Sequence, residues 1–152
     1  MGGRSDQGKA LAGLSDGQCV DRRSLDDEDC ERNRSIGLLA VTARFAYQNP
    51  SAVAGLVLWA SYPAASDDLS GRDLAATSVC GTRDGLATED KNDVSRPLLP
   101  SGTQCVAIEG GNHAQSGWYG PQSGGDEATI SREEQQAQVV AATLQLLPQL
   151  NG

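Results

Sequence analysis

The sequence predicts an α/β layered domain with a short, mostly parallel sheet and a capped C-terminal helix. Three observations lead there. The run Val53 to Ala60 (VAGLVLWA) is apolar without alternation, as expected of a central parallel strand covered on both faces. Two later runs, Leu74 to Cys80 (LAATSVC) and Thr103 to Glu109 (TQCVAIE), read as further strands closed by glycine-containing turns. Segments of helical spacing flank and separate them, which gives a helix–strand–strand–helix–strand–helix order.

The elements follow from local chemistry. Residues 1–34 are polar, highly charged and free of aromatic side chains. Such a segment buries too little apolar surface to offset its ordering entropy, so it is expected to be disordered apart from a fluctuating helical turn around Lys9 to Leu14. The folded domain is expected over residues 35–152. Ser35 can cap a helix in which Ile36, Leu39, Ala40, Ala43, Ala46 and Tyr47 share a face, and Asn49-Pro50 stops it. A short helix is expected around Glu89 to Ser95, ended by Pro97 and Pro100. Ser131-Arg132-Glu133-Glu134 spells a capping box, and Ala137, Val140, Ala141, Leu144 and Leu147 then form the expected inward stripe, terminated by Pro148.

Bulk properties narrow the function classes. At 152 residues the chain suits one domain, and a formal net charge of -8 argues against nucleic acid or an anionic membrane as partner. No apolar stretch approaches the roughly 20 residues of a membrane span, and residues 1–6 lead into no signal core, so the cytoplasm is the default expectation. The four cysteines lack Cys-x-x-Cys spacing and the protein has a single histidine, so no metal is expected. Cys80 and Cys105 lie in strand runs and read as reduced core residues.

The single histidine, His113, is the focus of the chemistry. It follows the third strand in the loop Gly110-Gly111-Asn112-His113, where a strand-end base belongs. Asp84 follows the previous strand within Gly81-Thr82-Arg83-Asp84-Gly85. In open α/β sheets chemistry lies beyond the carboxyl ends of the strands, and both residues fall there. A turn aspartate also serves local backbone N–H groups, so the position suits either role.

Several stretches carry a family resemblance. They are Ala43-Arg44-Phe45-Ala46-Tyr47-Gln48-Asn49-Pro50, Gly55-Leu56-Val57-Leu58-Trp59-Ala60-Ser61-Tyr62-Pro63, Gly81 to Thr88, the histidine loop, and Ile130 to Gln136. About two thirds of the chain resembles the C-terminal half of an α/β-hydrolase, more narrowly a bacterial dienelactone-hydrolase-like group. The resemblance implies Asp84 as the acid and His113 as the base of a Ser-Asp-His triad, with no cofactor. In that fold the nucleophile sits in a Gly-x-Ser-x-Gly elbow. The elbow is expected just before the helix ending at Tyr47, where the chain has Asn33-Arg34-Ser35-Ile36-Gly37. Ser35 is therefore the candidate nucleophile, although Asn33 replaces the first glycine and no strand-like run precedes it. The early strands, including the elbow strand, are expected to be missing, as in a truncated domain.

Two functional classes follow. One is a hydrolase of small carboxylic esters or related acyl compounds. The other is an inactive remnant or binding module that keeps the acid and base without a nucleophile. An exposed sheet edge would in either case offer a route to a homo-oligomer.

Overall fold

The computed structural model describes residues 10–13, 41–118, 120, 122 and 124–151. Four strands form one parallel sheet in the order β1-β2-β3-β4: β1 (Ala10–Gly13), β2 (Val53–Trp59), β3 (Ala75–Gly81) and β4 (Gln104–Ile108). All three neighbouring pairs are parallel, with Leu56 opposite Ala76 and Val79 opposite Val106. Among the described residues the α-helices are α1 (Val41–Gln48), α2 (Glu89–Ser95) and α3 (Arg132–Leu144).

The unbroken apolar run of β2 is explained by cover on both faces. Leu56 and Leu58 pack with Ala43 and Ala46 of α1 and with Leu69, Ala76 and Leu99. On the opposite face Val79 and Ile108 meet Val139 and Ala142 of α3, flanked by Trp59, Val106 and Ile130. Alternation along a strand sends successive side chains to opposite layers, so two separate clusters share one sheet. Their large side chains, including Leu56, Leu58, Leu69 and Ile108, are fully buried.

The expected α/β architecture is present, and four local expectations are corrected. Residues 10–13 are a strand rather than a helical turn, and they pair with β2, with Gly13 opposite Val57. A buried central strand needs hydrogen-bond partners along both edges, and that long-range demand outweighs the weak helical preference of Ala-Leu-Ala-Gly. The remainder of residues 1–34 lies outside the described residues, as does the expected start of α1 at Ser35.

The inward face of α3 is also different. Its buried positions are Gln135, Val139 and Ala142, continued by Leu146, whereas Ala137, Val140, Ala141, Leu144 and Leu147 are exposed. Hydrophobicity alone selects the wrong side because a glutamine with fully internal hydrogen bonds leads the true one. Pro148 does not end the helix; it sits within a following 3-10 turn, Leu147–Asn151. Cys105 is exposed rather than in the core, because β4 is an edge strand whose residues 105 and 107 face away from α3. The capping box forms as expected: Ser131 Oγ accepts from the Glu134 N–H at 3.2 Å, and the Ser131 N–H donates to Glu134 Oε2 at 2.9 Å.

Candidate functional site

Because every strand pair is parallel, Gly13, Trp59, Gly81 and Ile108 all end at one edge of the sheet. Asp84 and His113 leave β3 and β4 at that edge and meet. His113 Nδ1 lies 2.9 Å from Asp84 Oδ2 and 3.1 Å from Oδ1. Both side chains are almost completely shielded from solvent. A carboxylate only accepts hydrogen bonds, so Nδ1 carries a proton towards Asp84, and in a neutral imidazole Nε2 then carries the lone pair. This is the tautomer a general base requires.

The turn after β3 shapes the acid. Asp84 Oδ1 accepts from the Leu86 N–H at 2.9 Å and the Ala87 N–H at 2.7 Å. The same carboxylate thus satisfies its local turn and accepts from the histidine ring. Fixed backbone donors leave it one orientation, and the imidazole is aligned against it.

The histidine loop is pressed against β3. A Cβ at Gly81 would lie 2.5 Å from Gly111 C and 2.9 Å from Asn112 N, both backbone atoms, and closer still to Gly111 O. Only glycine permits this approach. The Arg83 N–H then donates to Gly111 O at 2.9 Å. Gly110 adopts φ 76°, a left-handed conformation that turns the chain out of β4. The loop is tied further by Asn112 Nδ2 donating to Asp126 O at 2.7 Å and by the Gln115 N–H donating to Asn112 Oδ1 at 3.0 Å. His113 itself opens a 3-10 turn, Ala114–Ser116. At the end of β2, Ala60 has φ 47°, a strained conformation for a residue with a Cβ, and its N–H donates to Val79 O at 2.8 Å.

Ser35, the serine singled out from the sequence, lies outside the described residues. Beyond the histidine loop Trp118 is 80 % exposed and its ring lies 5.1 Å from the Arg132 guanidinium carbon. Cys80, on the strand leading to Asp84, has its thiol pKa pushed up by burial first and by the charge of Asp84 next. Among the described residues no group of three or more His, Cys, Asp or Glu side chains is arranged to hold a metal ion, and no helix is long and apolar enough to cross a membrane.

One serine escapes a reading based on hydrophobic patterning. Gly13-Leu14-Ser15-Asp16-Gly17 fits Gly-x-Ser-x-Gly at every fixed position. Gly13 is the last residue of β1, so the pattern begins where the elbow strand should end, beside β2. The strand is hard to read from sequence because Ala-Leu-Ala-Gly is short and lies in a segment whose average composition is polar. Scanning for the five-residue pattern itself, regardless of its surroundings, finds it. Ser15 lies outside the described residues, two positions beyond β1.

A parallel sheet covered on both faces, with an aspartate and a histidine paired beyond successive strands, defines the layered α/β class in which hydrolases place their acid and base. Comparison with known families agrees. A profile of the Alpha/beta hydrolase family matches residues 33–137. The chain belongs to the alpha/beta hydrolase family. No curated protein and no solved structure matches it.

Proposed function

We propose that the protein is a serine hydrolase of small carboxylic esters or related acyl compounds, with Ser15 as nucleophile, His113 as general base and Asp84 as the residue that orients the base. The observation that carries this reading is the buried Asp84–His113 hydrogen bond at the carboxyl edge of the sheet. The chain order Ser15, Asp84, His113 is the order this fold uses.

In the proposed reaction the Ser15 hydroxyl gives its proton to His113 Nε2 as its oxygen attacks the substrate carbonyl. The imidazolium that forms is stabilised by the Asp84 carboxylate. It returns the proton to the departing alcohol, leaving an acyl-serine. A water molecule then repeats the sequence, yielding the acid and regenerating the serine. In an elbow the N–H of the residue after the nucleophile, here Asp16, stabilises the developing oxyanion.

Ser35 is the weaker candidate, because its surroundings, Asn33-Arg34-Ser35-Ile36-Gly37, lack the first glycine of the pattern.

Steady-state hydrolysis of p-nitrophenyl acetate by the native chain, Ser15→Ala and Ser35→Ala tests the proposal. Native turnover that is lost in Ser15→Ala and kept in Ser35→Ala is expected. The absence of turnover by the folded native chain across a panel of short acyl esters would instead support the binding-module reading.

A further inference from the structure

Gln135 is the most deeply buried polar side chain on α3, at 0 % exposure, on a face otherwise made of Val139, Ala142 and Leu146. A methionine or leucine would fill the same volume without a desolvation cost, so the amide needs an explanation. Its polar atoms are directed to one place. Oε1 accepts from the Asn112 backbone N–H at 2.9 Å, and Nε2 donates to the Asn112 backbone O at 2.7 Å. Nε2 also donates to Ser116 Oγ at 3.2 Å, and Ser116 Oγ in turn donates to Asn112 O at 3.3 Å. The orientation of the amide is fixed by its partners, since a backbone N–H can only donate and a backbone carbonyl can only accept.

Asn112 O belongs to the peptide group whose nitrogen is that of His113. Holding both the N–H and the C=O of residue 112 fixes the plane from which the histidine side chain departs. The Ser116 contact pins the far end of the 3-10 turn that begins at His113. Gln135 therefore brackets His113 on both sides in sequence, without touching its ring in any of these contacts.

We propose that Gln135 is a positioning residue that sets the His113 imidazole against Asp84 by gripping the Asn112 backbone, so that the geometry of the base depends on an amide carried by the C-terminal helix. Its catalytic consequence rests on the proposed role of His113 as base, whereas its geometric content does not.

Because the protein has a single histidine, the imidazole is observable without assignment ambiguity. The test uses the full-length chain and two variants, Gln135→Met and Gln135→Glu, with folding checked by circular dichroism. Nitrogen-15 spectra of the ring report its tautomer and the hydrogen-bonded Nδ1 proton. Hydrolysis of p-nitrophenyl acetate reports kcat and KM separately. In folded Gln135→Met the Nδ1 proton signal is expected to broaden or exchange away. With it kcat falls about tenfold to a hundredfold while KM changes little, as expected for a base displaced by a fraction of an ångström.

Gln135→Glu adds a signature that loss of packing would not produce. A protonated carboxyl can donate to Asn112 O as the amide does, whereas an ionised one presents an acceptor to an acceptor. Its Nδ1 signal, and its kcat relative to the native protein, should approach native values at low pH and decline as pH rises. An unchanged Nδ1 signal in folded Gln135→Met would overturn the proposal. If Gln135→Met does not fold, a native-like or pH-independent Nδ1 signal in Gln135→Glu overturns it equally. If the native protein hydrolyses no ester, the proposed function fails while the ring spectra still decide the positioning role.

Discussion

Replacing Gly81 by alanine tests the contact on which the site is built. The added Cβ would lie 2.5 Å from Gly111 C, against an ordinary carbon–carbon separation of about 3.5 Å, so the histidine loop must retreat from β3 by about 1 Å. The obstructing atoms are backbone, and no side chain can swing aside to absorb the clash. Overpacking of this kind costs roughly 1–3 kcal/mol. Weakening the Arg83 N–H to Gly111 O bond adds about 1 kcal/mol. The sum, roughly 2–4 kcal/mol, should appear as a lower urea midpoint with an unchanged slope. The same displacement separates His113 from Asp84, and a 1 Å error at a base lowers turnover on the order of 10²-fold. The assay pairs urea denaturation followed by circular dichroism with ester hydrolysis measured well below the unfolding midpoint. A Gly81→Ala protein with native midpoint and native turnover would refute the claim that the β3–loop approach holds the pair together.

Further outcomes follow from other parts of the structure. In Asp84→Asn the carbonyl oxygen must keep the Leu86 and Ala87 N–H groups, so the amide NH2 faces His113 Nδ1 and drives the proton to Nε2. Turnover should fall on the order of 10⁴-fold with the fold retained, readable by kinetics and by the ring tautomer. Ser131→Ala removes the cap of α3 and should cost about 1 kcal/mol in urea denaturation. Hydrogen bonds from Ser131 hold the Glu134 carboxyl below the usual range, so its contribution is complete above the unfolded-state value and disappears as pH falls through the lowered one. The stability difference between native and Ser131→Ala should accordingly narrow in acid. In the folded protein at mildly alkaline pH, iodoacetamide should modify exposed Cys105 well before Cys80, whose thiolate is disfavoured by burial and by Asp84. Peptide mapping over time reads the order.

What the sequence made legible depended on whether local pattern or distant contact decided the outcome. The continuous apolar run of β2 announces a strand buried on both faces, and the glycine-closed runs of β3 and β4 announce its neighbours. Asp84 and His113 could be paired in advance because parallel strands deliver their following loops to one edge. The α3 capping box is local chemistry and appears as read. The inward face of α3 was not legible, because Gln135 belongs inside only once Asn112 and Ser116 are there to receive it. Nor was β1, whose four residues gain their structure from the open edge of β2, forty residues further along the chain.

The central claim is that Ser15 is the nucleophile served by His113 and Asp84. Fluorophosphonates phosphonylate an activated serine and leave ordinary hydroxyls untouched, so peptide mapping of the labelled full-length protein addresses it directly. The account predicts one adduct, on Ser15, that is absent from His113→Ala and strongly slowed in Asp84→Asn. An adduct on Ser35, or labelling of Ser15 that persists in His113→Ala, would contradict it.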